Sequence, residues 1–146
     1  MMDLIVFSVA NNRYALNIDN VVRIIQATSL TEVPNSHKLI DGIISYEGNV
    51  LKVLNFRKLL GLNPHKEDID EPKNAYDYEQ KFIFFVNNNI TFAVKVDAID
   101  DIAHIEESNI MNNDDEYSTS EFLDISGVLD LDGVLINVIS ELRLPN

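Results

Sequence analysis

The 146-residue chain has no cysteine, no tryptophan, five glycines, four prolines and only 11 basic side chains. Each shortage excludes something. Without Cys there are no disulfides, no thiolate nucleophiles and no thiolate-held structural zinc. The 11 basic residues stand against 24 acidic ones, a formal net charge of -13. Nucleic-acid binding depends on Lys and Arg displacing counterions, so DNA, RNA and anionic membrane surfaces are poor partners. No uncharged apolar run approaches the ~18 residues of a membrane helix. The apolar start MMDLIVFSVA carries Asp3 instead of a basic flank and has no small-residue cleavage site, so it does not read as a signal peptide. The expectation is a cytoplasmic protein with no membrane insertion, in which Asn89-Ile90-Thr91 is an idle glycosylation triplet.

What is present is a 46% hydrophobic content, enough to bury the core of one ordinary domain or of two very small ones sharing it. Charge is uneven along the chain. Residues 1–60 hold six basic and five acidic side chains, a sum of +1, and residues 61–146 hold five and nineteen, a sum of -14. Solvated acidic faces account for this simply by solubility. A near-neutral first half is also what a docking surface requires.

The chain reads as duplicated. Phe7 to Ile24 aligns with Phe85 to Ile102 at an offset of 78, matching Ala15 with Ala93 and Asp19 with Asp97. Gly42 and Gly48 then align with Gly127 and Gly133 at an offset of 85, as Val53 does with Val138. The change of seven predicts a longer connection in the second copy, around the polar stretch Asn112 to Ser120. Four of the five glycines form the two matched pairs, as a backbone bend made twice would need. Tyr14 to Ile18 and Phe92 to Val96 alternate at period two, like strands with one buried face. The Asn clusters before them read as hairpin turns, and Asn49 to Phe56 and Val134 to Ile139 as further strands. Short helices are predicted at Ser36 to Ile40 and at Phe56 to Leu60, the second ended by Gly61. Two small β-barrels packed together follow from this pattern. Gly61 to Lys81, with two prolines and six acidic residues, reads as a mobile surface loop.

Catalysis needs convergent groups, and few can be assembled. His37, His65 and His104 lie in separate neighbourhoods without metal-pair spacing. No GxSxG elbow or phosphate-cradling Gly loop is present. Asp130-Leu131-Asp132-Gly133 imitates the middle of a calcium loop, but Val128 and Ile139 stand where the first and the bidentate ligands belong. The profile favours a binding module over an enzyme.

The string YALNIDNVVRII, then Val33-Pro34, then LIDGIISYEGNVLKVLNFRKLLGL, resembles the CheW-like domain, the adaptor that couples bacterial chemoreceptors to their histidine kinase. The shared pattern is Tyr14-Ala15-Leu16, Val21 to Ile24, Val33-Pro34, the Gly42 to Gly48 turn and Asn55-Phe56-Arg57, the last in place of Asp-Leu-Arg. It continues through FIFFVNNNITFAVKVDAIDDI and from Ile125 to Ile139, so nearly all of the chain is covered.

The resemblance implies a mainly β fold: two intertwined five-stranded SH3-like barrels with a shared hydrophobic core and a few short helices. It implies one domain over 1–146, with one subdomain at about 14–85 and the other at about 1–13 and 86–146, and with Leu4 to Val9 crossing between them. The implied function is a noncatalytic scaffold without cofactor or metal, binding the kinase regulatory domain and the chemoreceptor's cytoplasmic tip. Kinase contacts fall on Val21, Arg23, Ile24, Gly42, Glu47, Gly48 and Asn49. An adaptor of a pilus or other non-motility system, and a small-molecule-binding or hydrolytic barrel using its carboxylates, are the alternatives.

Two departures stand out. Relatives usually carry Glu at Arg23 and Arg at Glu47, so both signs are reversed, and often Pro at Lys52. If Arg23 and Glu47 face each other they form a salt bridge worth at most about 1 kcal/mol when exposed; otherwise they are independent surface charges. Either way, a cognate partner would need compensating charges.

Overall fold

Alternating apolar residues form strands wherever one face can be buried, and this rule builds almost the whole chain. The computed structural model describes residues 1–62 and 80–145, with the backbone alone over 112–120. Eleven strands follow in order among the described residues: β1 (Met2–Val9), β2 (Asn12–Asn17), β3 (Val21–Gln26), β4 (Ile40–Tyr46), β5 (Asn49–Asn55), β6 (Lys81–Asn87), β7 (Ile90–Val96), β8 (Ala98–Ile105), β9 (Met111–Ser120), β10 (Leu123–Leu131) and β11 (Val134–Leu142). One helix, α1 (Phe56–Leu59), follows β5. The strands make two sheets, a six-stranded one in the order β8-β1-β2-β11-β10-β9 and a five-stranded one in the order β3-β6-β7-β5-β4.

The duplication is visible in the backbone. Ala10-Asn11 (φ 52° and 67°) and Asn88-Asn89 (φ 52° and 65°) make the same two-residue turn, with both φ positive as type I′ hairpins demand. Glu47-Gly48 (φ 48° and 83°) and Asp132-Gly133 (φ 52° and 87°) repeat the second turn. Even the parallel contacts recur: Val53 lies opposite Ala93, and Val138 opposite Ala15.

The two copies are interleaved. β1 and β2, from the first copy, pair with β8 and β11 of the second, while β6 and β7 return the exchange by pairing with β3 and β5. Leu4 to Val9 therefore crosses over as expected, but a whole hairpin crosses with it. The sheet boundaries fall around residues 18–20 and at Asp97, so Tyr14 to Asn17 and residues 86–96 lie in the opposite sheets from those the expected divisions near 13 and 85 gave them.

Each sheet curls round its own interior. Ile25, Phe82, Phe84, Ala93, Leu51, Val53 and Ile44 cluster in the five-stranded sheet, joining its two edge strands through one core. Their counterparts in the other sheet are Ala103, Leu4, Val6, Ala15, Ile136, Val138 and Leu129. Between the barrels lies a third, shared core that includes Phe7, Tyr14, Leu54, Phe56, Phe85 and Phe92.

Two local expectations are corrected. Ser36 to Ile40 is not a helix: Asn35 turns at φ 61°, the Leu39 N–H is taken by the His37 ring at 3.1 Å, and Ile40 enters β4. The polar stretch Asn112 to Ser120 lies in strand β9, because a backbone ladder to β10 needs no apolar side chains. The reading of Gly61 to Lys81 as a mobile loop concerns residues of which 63–79 lie outside those described, His65 among them.

Helix α1 is fixed by its cap. Buried Asn55 accepts the Lys58 N–H at 3.1 Å and donates to Asp41 at 2.8 Å, and Asp41 also pairs with Lys58 Nζ at 2.8 Å. Asn55→Ala removes an N-cap and leaves Asp41 short of a donor. A loss of about 2 kcal/mol is expected, measured by urea denaturation, with Asn55→Asp recovering the cap but setting a second carboxylate against Asp41.

Candidate functional site

Strand β3 and the β4–β5 hairpin are the two edges of the five-stranded barrel. Past the end of β3, Thr31 bridges Ile43 of β4. A cleft of about 380 Å³ opens between β3 and the β4–β5 hairpin at the barrel mouth. Phe84 and Leu51, both buried, form its floor. Val22 and Arg23 line one wall, Tyr46, Glu47 and Val50 the other. Val22 and Val50, which line the same cleft, are 61% and 64% exposed.

The geometry sorts the predicted residues. Arg23, Glu47, Gly48 and Asn49 are exposed around the mouth. Val21 and Ile24 are half-buried and pack against the shared core. Gly42 is buried in a bulge, where an added Cβ would lie 2.5 Å from the Thr31 carbonyl oxygen, which makes it a structural residue. No ion pair joins Arg23 to Glu47 among the described residues. The Arg23 guanidinium instead lies 5.4 Å from the centre of the Tyr46 ring, within reach of a cation–π contact. Glu47 sits at a positive-φ turn position beside it, with its side chain exposed.

Val22, Tyr46, Val50, Leu51, Phe84 and Thr91 line the cleft without having been among the expected contacts. A signal for two of them was present. Extending the 78-residue alignment sets Val22 on Asp100 and Thr91 on Arg13, a charged pair in one copy and an uncharged one in the other.

Carboxylates of the second barrel engage in separate structural bonds. Asp100 pairs with Arg13 at 3.3 Å, and Asp124 with Arg143 at 2.9 Å. Asp97 accepts from Arg57 at 2.8 Å and from the Ala10 N–H at 2.9 Å, tying α1 to the exchanged hairpin. Asp130, in the calcium-loop imitation, accepts the Gly133 N–H at 2.9 Å and so stabilises its own turn. The Asp124 and Glu141 carboxylates raise the Arg143 pKa above its ordinary value, and burial raises that of the Tyr14 phenol.

Two interlocked barrels with an apolar, charge-edged mouth define a scaffold class of protein, built to present surface. Comparison with known proteins makes this particular. The family model of the CheW-like domain matches residues 3–144. The chain is 27% identical to the chemotaxis protein CheW of Bacillus subtilis over 136 residues, covering 93% of this chain and 81% of that one. It is 24% identical to that of Helicobacter pylori over 117 residues, covering 80% and 70%. The match to the Thermotoga maritima CheW is 28% identical over 61 residues, 42% of this chain and 40% of the relative. In structure it is similar to the scaffolding protein TtCheW of Thermoanaerobacter tengcongensis, with a TM-score of 0.80 at 22% identity, covering 97% of this chain and 90% of that one. The chain belongs to the CheW-like domain family. It is a noncatalytic coupling adaptor of chemotaxis signalling.

Proposed function

We propose that this adaptor works in the cytoplasm and joins the regulatory domain of a chemotaxis histidine kinase to the cytoplasmic tip of a chemoreceptor, holding both so that a receptor movement alters kinase activity. The observation that carries this reading is the mouth of the five-stranded barrel, where exposed Val22 and Val50 sit beside Arg23 and Glu47. Exposed aliphatic residues inside a polar rim are the anatomy of a protein interface, and such binding needs no cofactor. Among the described residues no helix is long and apolar enough to cross a membrane. The mutual interleaving of the copies supports a mechanical role, because a load on one barrel passes to the other through the exchanged hairpins and the shared core.

Titration calorimetry tests the reading with two probes from the source organism: the regulatory domain of a chemotaxis histidine kinase, and a soluble helical hairpin of a chemoreceptor tip. Saturable 1:1 binding of each is expected, with micromolar Kd. Absence of binding to both would remove the adaptor reading from this pair of partners.

A further inference from the structure

The two barrels are built alike, but their mouths are not. In the six-stranded barrel an ion pair spans β1 from β2 to β8 at the corresponding end, Arg13 Nε to Asp100 Oδ2 at 3.3 Å, with the Ser8 hydroxyl of β1 donating to Asp100 Oδ1 at 3.4 Å. The equivalent positions in the five-stranded barrel are Thr91 and Val22, which cannot form such a bridge. Both Val22 and Asp100 are the extra residue of a β-bulge at the same point of the repeat: β3 pairs Val21 and Arg23 with successive residues of β6, and β8 pairs Ile99 and Asp101 with successive residues of β1. A bulge aims its extra side chain away from the ladder. One barrel fills that direction with a charge pair, and the other leaves a cleft of about 380 Å³.

Arg23 supplies the second observation. Arg13, Arg57 and Arg143 each pair with a carboxylate within 3.3 Å. Arg23 does not, although Glu47 lines the same cleft; its guanidinium rests on the Tyr46 ring at 5.4 Å from the centroid. A guanidinium carries five N–H donors, so one held against a ring still has donors to offer an acceptor from outside. In a chain of net charge -13, a cation held this way and unpaired among the described residues is complementary to an acidic group from outside.

We propose that the mouth of the five-stranded barrel is a socket for a two-residue feature of the partner: an aliphatic or aromatic side chain that enters the cleft over Phe84 and Leu51, next to a carboxylate that takes the free edge of Arg23. Tyr46 is the positioning residue, holding Arg23 at the rim. The inference rests on the adaptor reading above and specifies the chemistry of its kinase partner at this site.

The test transplants the second barrel's ion pair into the first. Val22→Asp with Thr91→Arg changes one exposed and one half-buried lining residue, sets a charge pair into the cleft and keeps the net charge. Calorimetry against the kinase regulatory domain should show at least a 10-fold weaker Kd with an unchanged melting curve. Arg23→Glu should weaken binding by a similar factor, and Arg23→Lys by less. Tyr46→Phe should retain affinity, whereas Tyr46→Leu should lose it and flatten the dependence of Kd on salt, since the cation is no longer held at the rim. Wild-type affinity in both the transplant and Arg23→Glu would overturn the socket while leaving the adaptor reading intact. Failure of the wild-type chain to bind either probe would overturn both.

Discussion

Phe7→Ala is expected to lower the unfolding free energy by about 4 kcal/mol, and the melting temperature by about 12 °C at roughly 3 °C per kcal/mol for a chain of this size. Phe7 is fully buried on β1, between β2 and β8, and its ring faces Tyr14 at 5.8 Å and Phe56 at 5.2 Å. β1 belongs to one sheet and Phe56 follows β5 of the other, so the ring joins the barrels through their shared core. The same position in the second copy is Phe85, which has the matching ring pair with Phe92 at 5.7 Å. It has no third ring to correspond to Phe56, because Glu141 stands there. Phe85→Ala should therefore cost less than Phe7→Ala. Both variants should unfold in one transition, with far-UV circular dichroism and tyrosine fluorescence coinciding, since each sheet holds strands of both copies. Two separate transitions would show that the exchanged hairpins do not couple the barrels.

That coupling marks where the sequence ceased to be informative. The duplication was legible because it rests on local chemistry: Asn clusters at the turns, glycines six apart, and alternation at period two, although the first turn is Ala10-Asn11 and Asn12 already lies in β2. The exchange of complete hairpins was not, since β1–β2 and β6–β7 have the same apolar alternation and the same turn position, hence the same local preferences. Which sheet each joins is decided by non-local pairing, such as Ala15 against Val138 in place of Val53. β9 was missed for a related reason: its residues are polar, and only its ladder to β10 makes it a strand. The candidate site was half legible. Arg23 and Glu47 stood out as departures from the family pattern, but the expected bridge between them overlooked Tyr46, whose ring lies 5.4 Å from the guanidinium. Gly42 had been placed on the docking surface because it belongs to the family's turn pattern, and burial shows that the pattern is structural at that position.

Gly42 leads to the other large effect. Gly42→Ala and Gly127→Ala should each destabilise the protein by about 3 kcal/mol, because in both places the new Cβ would lie 2.5 Å from a backbone carbonyl oxygen, that of Thr31 or of Met111. Neither oxygen can retreat easily. Thr31 accepts the Ile43 N–H at 2.9 Å in the bridge that closes the first barrel, and Met111 pairs with Val128 at the start of β9. A clash there pushes the barrel seam open. Gly48 and Gly133 provide the comparison: nothing lies within 4 Å of an added Cβ, so only the positive φ of 83° and 87° is penalised, at about 1 kcal/mol. Chemical denaturation of the four alanine variants should thus divide them by structural position, Gly42 with Gly127 and Gly48 with Gly133, and not by barrel. Binding gives an independent reading of Gly42. As a buried seam residue it should affect kinase affinity only in proportion to the fraction unfolded, so Gly42→Ala at a temperature where it is fully folded should bind like wild type. Weak binding by a fully folded Gly42→Ala would mean that the seam and the mouth of the first barrel move together, and that the docking surface extends through the bulge.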